Sequence, residues 1–215
     1  MIYGRAKTRL LLLLLLLLSC RADDVPAQAE EEALKSAPLG AFNGVDIQDR
    51  PVTGSGLRGK VVMISVSDSE TADAVIEWQT QVGVEAGLAL GGNDEGNLLH
   101  LAVADVSRFP KLVKPIVKRR LKSVHEKMRR RLLQRFVEKK QSPPADLQDR
   151  IYLVPDWTGA LVEKLLAGGA QKRLPQLLVV DQRGGLAGRF TENEDASNQQ
   201  LLVLIKTLFA PSSPN

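Results

Sequence analysis

Hydrophobic positions along this chain fall into strand-like runs and helix-like stripes. Val61-Val62-Met63-Ile64-Ser65-Val66 is an apolar run entered through the glycine-containing stretch Gly54 to Lys60 and left through Ser67-Asp68-Ser69, the pattern of a strand covered on both faces. A helix is predicted from Ala72 to Val82, and Ser67 with Glu70 has capping-box spacing, so a hydroxyl and a carboxylate could satisfy free amides at its start. Gly87 to Asn97 holds four glycines and reads as a loop before a second strand, Leu98 to Val106. In the last third, strand Ile151 to Val154, helix Gly159 to Leu166, strand Gln176 to Val180, turn Asp181 to Gly185, strand Leu186 to Phe190 and helix Asn198 to Leu208 follow one another. That alternation, finishing with a hairpin and a helix, predicts an α/β sandwich.

Between the two halves lies a different pattern. Val113, Val117, Leu121, Val124, Met128, Leu132 and Phe136 are spaced 4, 4, 3, 4, 4 and 4, one stripe of a long amphipathic helix that Pro143-Pro144 stops. Lys118, Arg119, Lys122, Arg129 and Arg130 flank the stripe as candidates for contact with an anionic surface. Three readings are open for this helix: a stripe packed on the core with its cations solvated or paired, contact with anionic phospholipid or lipid A, or contact with an acidic protein. Nucleic acid is disfavoured because the chain offers little aromatic interleaving for base stacking.

The amino-terminal residues read as an address. Arg5, Lys7 and Arg9 precede the leucine run Leu10 to Leu18, too short at about 1.5 Å per residue to cross a hydrocarbon core of about 30 Å. Leu17-Leu18-Ser19-Cys20 resembles the lipobox of bacterial lipoproteins, which implies acylation of Cys20 and a membrane anchor of several acyl chains. Cleavage after Ala22, giving a soluble periplasmic or secreted protein, is the alternative. Residues 1–19 are thus expected to be a signal peptide and 20–40 an acidic tether rich in alanine and proline. The globular domain is expected over 41–210, with the basic insertion at 108–142 and a short tail at 211–215.

Charge sharpens this division. The net charge is +4, but Arg108 to Lys140 carries 14 Lys/Arg against 2 Glu, a net of +12, and the rest of the chain is −8. Removal of residues 1–19 would leave a net charge of +1, so the working protein is a basic helix joined to an acidic body. With one cysteine and two isolated histidines, an intramolecular disulfide framework and a Cys/His zinc site are both excluded, and no metal or other cofactor is expected. His100, His125, Trp78 and Trp157 read as packing residues, and Asp156 and Asp181 as turn residues.

Two stretches resemble a known superfamily. Ala41-Phe42, Gln48-Asp49-Arg50-Pro51-Val52 and Leu57-Arg58-Gly59-Lys60-Val61-Val62 are similar to the opening of the TlpA-like and redoxin branch of the thioredoxin-like superfamily, where a short hairpin leads into the first central strand. Leu174-Pro175-Gln176 through Asp181-Gln182-Arg183-Gly184-Gly185 resembles its second signature, a proline before a strand followed by a D-x-x-G turn. The resemblance implies a thioredoxin-like sandwich with a central mixed sheet, here interrupted by the basic helix. It also implies a C-x-x-C site after the first central strand, and counting along the chain puts those positions at Thr71 and Ala74, neither of which has sulfur. By the same resemblance Leu174 and Pro175 are candidates for a peptide-binding loop with a cis bond; alternatively Pro175 only shapes the entry to a strand. An exported, lipid-anchored binding or scaffold module without dithiol chemistry is the expected function. The alternative is a redoxin whose redox role persists in residual or partner-dependent form.

Overall fold

A computed structural model describes residues 39–40, 42–90, 97–166, 176–191 and 195–210. Cys20, Leu174, Pro175, the proposed signal and tail, and the proposed tether up to residue 38 lie outside these residues, whereas Leu39, at the tether's expected end, is buried in the core. A hairpin of β1 (Asn43–Val45) and β2 (Pro51–Thr53) comes first, followed by a one-turn helix and by β3 (Val61–Ser67). Helix α1 (Ala72–Leu90), β4 (Leu98–Asp105), α2 (Lys114–Glu138), β5 (Ile151–Asp156), α3 (Ala160–Leu165), β6 (Gln176–Val180), β7 (Leu186–Phe190) and α4 (Asp195–Phe209) complete the chain. The sheet runs β5-β4-β3-β6-β7, with β3, β4 and β5 parallel and β6 and β7 antiparallel to their neighbours.

Every residue of β3 from Val61 to Val66 is buried, which is why that strand reads as an unbroken apolar run. Val62, Ile64 and Val66 face a core closed by the hairpin and α3, together with Leu101, Val103 and Leu178. On the opposite face Met63, Leu177 and Val179 pack under Trp78 and Val82 of α1 and Leu201 and Ile205 of α4. The inserted helix α2 extends that second layer over β4 and β5, burying Leu121, Met128, Leu132 and Phe136 against Ala102, Ile151 and Leu153.

Three expectations are corrected. The first helix continues past Val82 to Leu90, because Gly83 and Gly87 are buried helical residues and not loop formers. A Cβ on Gly83 would lie 2.4 Å from Cε1 of His100, so glycine is there to let the imidazole reach the helix backbone. The cap at the helix start is made by Asp68 and Thr71 and not by Ser67 and Glu70. Asp68 Oδ1 accepts from the amides of Glu70 and Thr71, each at 3.0 Å, and the Asp68 amide donates back to Thr71 Oγ1 at 3.2 Å. Finally, α4 begins at Asp195, three residues before Asn198, which is buried and accepts from Trp78 Nε1 at 2.6 Å.

Candidate functional site

Parallel strands β3, β4 and β5 end on one edge of the sheet, and the cleft outside those carboxyl ends is where open α/β sheets gather ligands. Two adjoining compartments occur there, sharing Ser67, Asp68 and Asp105. The larger, about 540 Å³, lies between the sheet and the first half of α2. Its floor is made by register: Ser65, Ala102 and Leu153 sit side by side on β3, β4 and β5, and Ser67 pairs with Ala104 one step further on. These are mostly small side chains, whereas Val117, Leu121, Val124 and Met128 descend from α2. The sheet-side residues are too short to fill the gap under the helix, so an apolar cavity remains within the usual ligand-site range of about 300–1,000 Å³.

The smaller compartment, about 250 Å³, is polar and is bordered by Thr71, Ser107, Arg108, Thr158 and Glu163. Buried Asp156 shapes one wall: Oδ1 accepts from the amides of Thr158 and Gly159 at 3.1 and 2.9 Å, and Oδ2 from the amide of Val162 at 2.9 Å. Asp105 Oδ1 likewise accepts from the amide and hydroxyl of Ser107, at 3.0 and 2.6 Å. Burial raises the Asp68 carboxyl, but the hydrogen bonds from Thr71 and Glu70 outweigh it and hold the group below the usual carboxylate range. His125 lines the apolar side with Nε2 3.4 Å from the Ile151 carbonyl oxygen, and burial lowers its pKa below the usual imidazole value. Among the described residues, no cluster of three or more His, Cys, Asp or Glu side chains could hold a metal ion.

No family model matches the chain, and none of the curated proteins matches it. Solved structures do. BsSco, described as a member of the Sco family of cytochrome c oxidase assembly proteins with a disulfide switch, superposes with a TM-score of 0.54 at 10% identity, over 81% of this chain and 94% of its own. This chain has a thioredoxin-like fold. A putative thiol:disulfide interchange protein DsbE from Chlorobium tepidum (TM-score 0.48, 14% identity, 81% of this chain and 96% of its own) is also similar. So is the pneumococcal exposed lipoprotein thioredoxin from Streptococcus pneumoniae (TM-score 0.47, 13% identity, 77% and 98%).

Within the thioredoxin-like fold of this chain, Thr71 stands at the amino end of α1, where its carbonyl accepts from the amide of Val75 at 3.0 Å. Its hydroxyl donates to Asp68 Oδ1 at 2.9 Å, and Ala74 is exposed one turn on. Asp181 and Gly184 form the turn between β6 and β7, with Oδ1 of Asp181 accepting from the amides of Arg183 and Gly185, each at 2.8 Å. Gly184 has φ +90°, a conformation glycine adopts without strain. The five candidate cations of α2 are divided. Lys118 is paired with Asp49 at 2.8 Å and Arg129 with Glu126 at 2.9 Å, whereas Arg119, Lys122 and Arg130 form no ion pair among the described residues. Sequence reasoning missed Asp68 as the capping residue and missed the cavity altogether. The Asp-x-x-Thr spacing was a usable signal for the cap, but the cavity depends on which small residues become neighbours across strands.

Proposed function

We propose that this chain is an exported, lipid-anchored thioredoxin-like protein that works by binding and does not exchange disulfides, with the cleft at the carboxyl ends of β3, β4 and β5 as its ligand site. One observation carries the reading: α1 begins with a closed Asp68–Thr71 hydrogen-bond cap and no thiol, beside an apolar cavity of about 540 Å³. The only cysteine of the chain, Cys20, precedes the described fold. A hydroxyl held by a carboxylate at the end of a strand cannot cycle between thiol and disulfide, so exchange lacks its nucleophile. Export and anchoring rest on the leader pattern and on Cys20, with cleavage after Ala22 as the alternative. Among the described residues no helix is long and apolar enough to cross a membrane.

The full chain carrying Cys20→Ser is expected not to accelerate reduction of a disulfide-bonded protein by dithiothreitol above the rate of the reagent alone. Acceleration that survives this substitution would overturn the binding reading in favour of a residual redox role. Mass spectrometry of the mature amino terminus should find acylated Cys20; a free terminus at Asp23 would remove the anchor.

A further inference from the structure

The segment that leads into α2 is unusual for a surface. Leu112 is 93% exposed, Ile116 70% and Phe109 39%, three large apolar side chains on one short stretch. Phe109 and Ile116 also border the apolar cavity, so the exposed patch is the outer lip of that cavity. From Arg108 to Lys122 the chain carries seven Lys/Arg and no Asp or Glu. Lys118 is tied to Asp49, and Lys114 lies over the Trp157 ring at 4.9 Å. Arg119, Arg120 and Lys122 form no ion pair among the described residues, and Arg120 borders the cavity mouth.

Acidic residues border the same mouth, and among the described residues Asp73 is the one of them paired with a cation, while Asp68 and Asp105 accept from neutral amides and hydroxyls. Asp68 accepts from Thr71 and Glu70, Asp105 accepts from Ser107, and Asp73 pairs with Lys127 at 2.6 Å. Glu70, exposed on the far rim from α2, is the acid here with no carboxylate partner among the described residues. The α2 face of the mouth is thus cationic, the carboxylates belong to α1 and the strand ends opposite, and the lining of the space between is mostly apolar.

We infer that the cavity under α2 takes the acyl chain of an anionic amphiphile from an anionic bilayer, with Phe109, Leu112 and Ile116 entering the lipid interface and Arg120 facing the headgroup. The inference rests on the binding reading above and adds the class of ligand. Apolar side chains interleaved with cations are the composition of an interfacial contact, where acyl chains accept the former and phosphates the latter. The cavity then gives a chain pulled from that interface a second apolar environment, lined by Ala104, Leu121 and Leu153.

The test uses the mature chain from residue 20 onward with Cys20→Ser, so that neither the Leu10–Leu18 leader nor an acyl chain confuses the result, and compares variants on that background. Soluble oleate and its uncharged counterpart monoolein are titrated against a fluorescent fatty acid, and binding is also measured to phosphatidylglycerol and to phosphatidylcholine vesicles. Ala104→Leu, and independently Val117→Phe should the first fail to fold, should weaken oleate binding at least about tenfold by filling the cavity. Arg120→Gln should weaken oleate about fivefold, the factor expected from one cation at an anionic surface, and leave monoolein unchanged. Leu112→Asp with Ile116→Asp should abolish the preference for phosphatidylglycerol vesicles while oleate still binds, which separates the bilayer from the free fatty acid as the source. Oleate binding indifferent to both cavity-filling variants, or equal attachment of wild type and the lip variant to phosphatidylglycerol, overturns the inference. A chain that binds no amphiphile and also fails to exchange disulfides would refute the ligand class alone, whereas exchange by the Cys20→Ser chain would refute the binding reading beneath it.

Discussion

His100 shows how one side chain can constrain two elements. Its imidazole is buried on β4, its Nδ1 has no hydrogen-bond partner among the described residues, and its ring occupies the space that a side chain on Gly83 of α1 would need. Gly83→Ala would ordinarily stabilise a helix interior by close to 1 kcal/mol. Here it should destabilise by about 1–3 kcal/mol in denaturant unfolding, because the new methyl meets the ring. Burial, with the Arg150 guanidinium adding to it, lowers the His100 pKa from 6.5 to about 4. The unfolded imidazole therefore takes up a proton near pH 6.5 and the folded one only near pH 4, so between those values the unfolded state binds more protons and stability rises with pH. Thermal unfolding followed from pH 7 down to pH 4 should show a falling midpoint, and His100→Leu should flatten the slope. Part of the slope remains in that variant because the pKa of His125 is lowered in the same direction. An unchanged slope would mean that His100 is not buried as a neutral ring.

The inserted helix α2 is held by its stripe more than by its charges. Leu132 and Met128 are almost fully buried, and each such side chain contributes about 1.5–3 kcal/mol on leaving water. Glu77 of α1 receives both Arg131, at 3.0 Å, and Arg135, but it is 43% exposed and the pairs are screened. Leu132→Ala should therefore cost about 2–5 kcal/mol in equilibrium unfolding, whereas Glu77→Gln should cost about 1 kcal/mol or less and have a smaller effect still in high salt. A larger loss from Glu77→Gln than from Leu132→Ala would reverse this ranking. The helix itself is legible in the sequence, because apolar positions three and four apart admit no strand. Its partners are not: Asp49, Asp73 and Glu77 lie far from α2 along the chain, and nothing local in the sequence marks them as acceptors for Lys118, Lys127 and Arg131.

At the scale of the whole molecule, the alternation of strand runs and helices foretells the sandwich, and the two sequence signatures foretell the hairpin and the β6–β7 turn that the structure contains. The cavity is invisible at that level. Ser65, Ala102, Ala104 and Val117 are unremarkable one by one, and only the parallel pairing of β3 with β4 and the seating of α2 above them leave a space where small residues meet. That space, beside a helix start without a thiol, is the feature on which the proposed binding role rests. Equilibrium unfolding of Ala104→Leu tests it most directly. If the cavity is present as described, the added carbons enter empty apolar space, and stability should stay level or rise by up to about 2 kcal/mol at about 0.8 kcal/mol per buried methylene. If α2 instead closes tightly on the sheet, the same substitution overpacks the core and stability falls by about 1–3 kcal/mol, a result that would contradict a preformed ligand site.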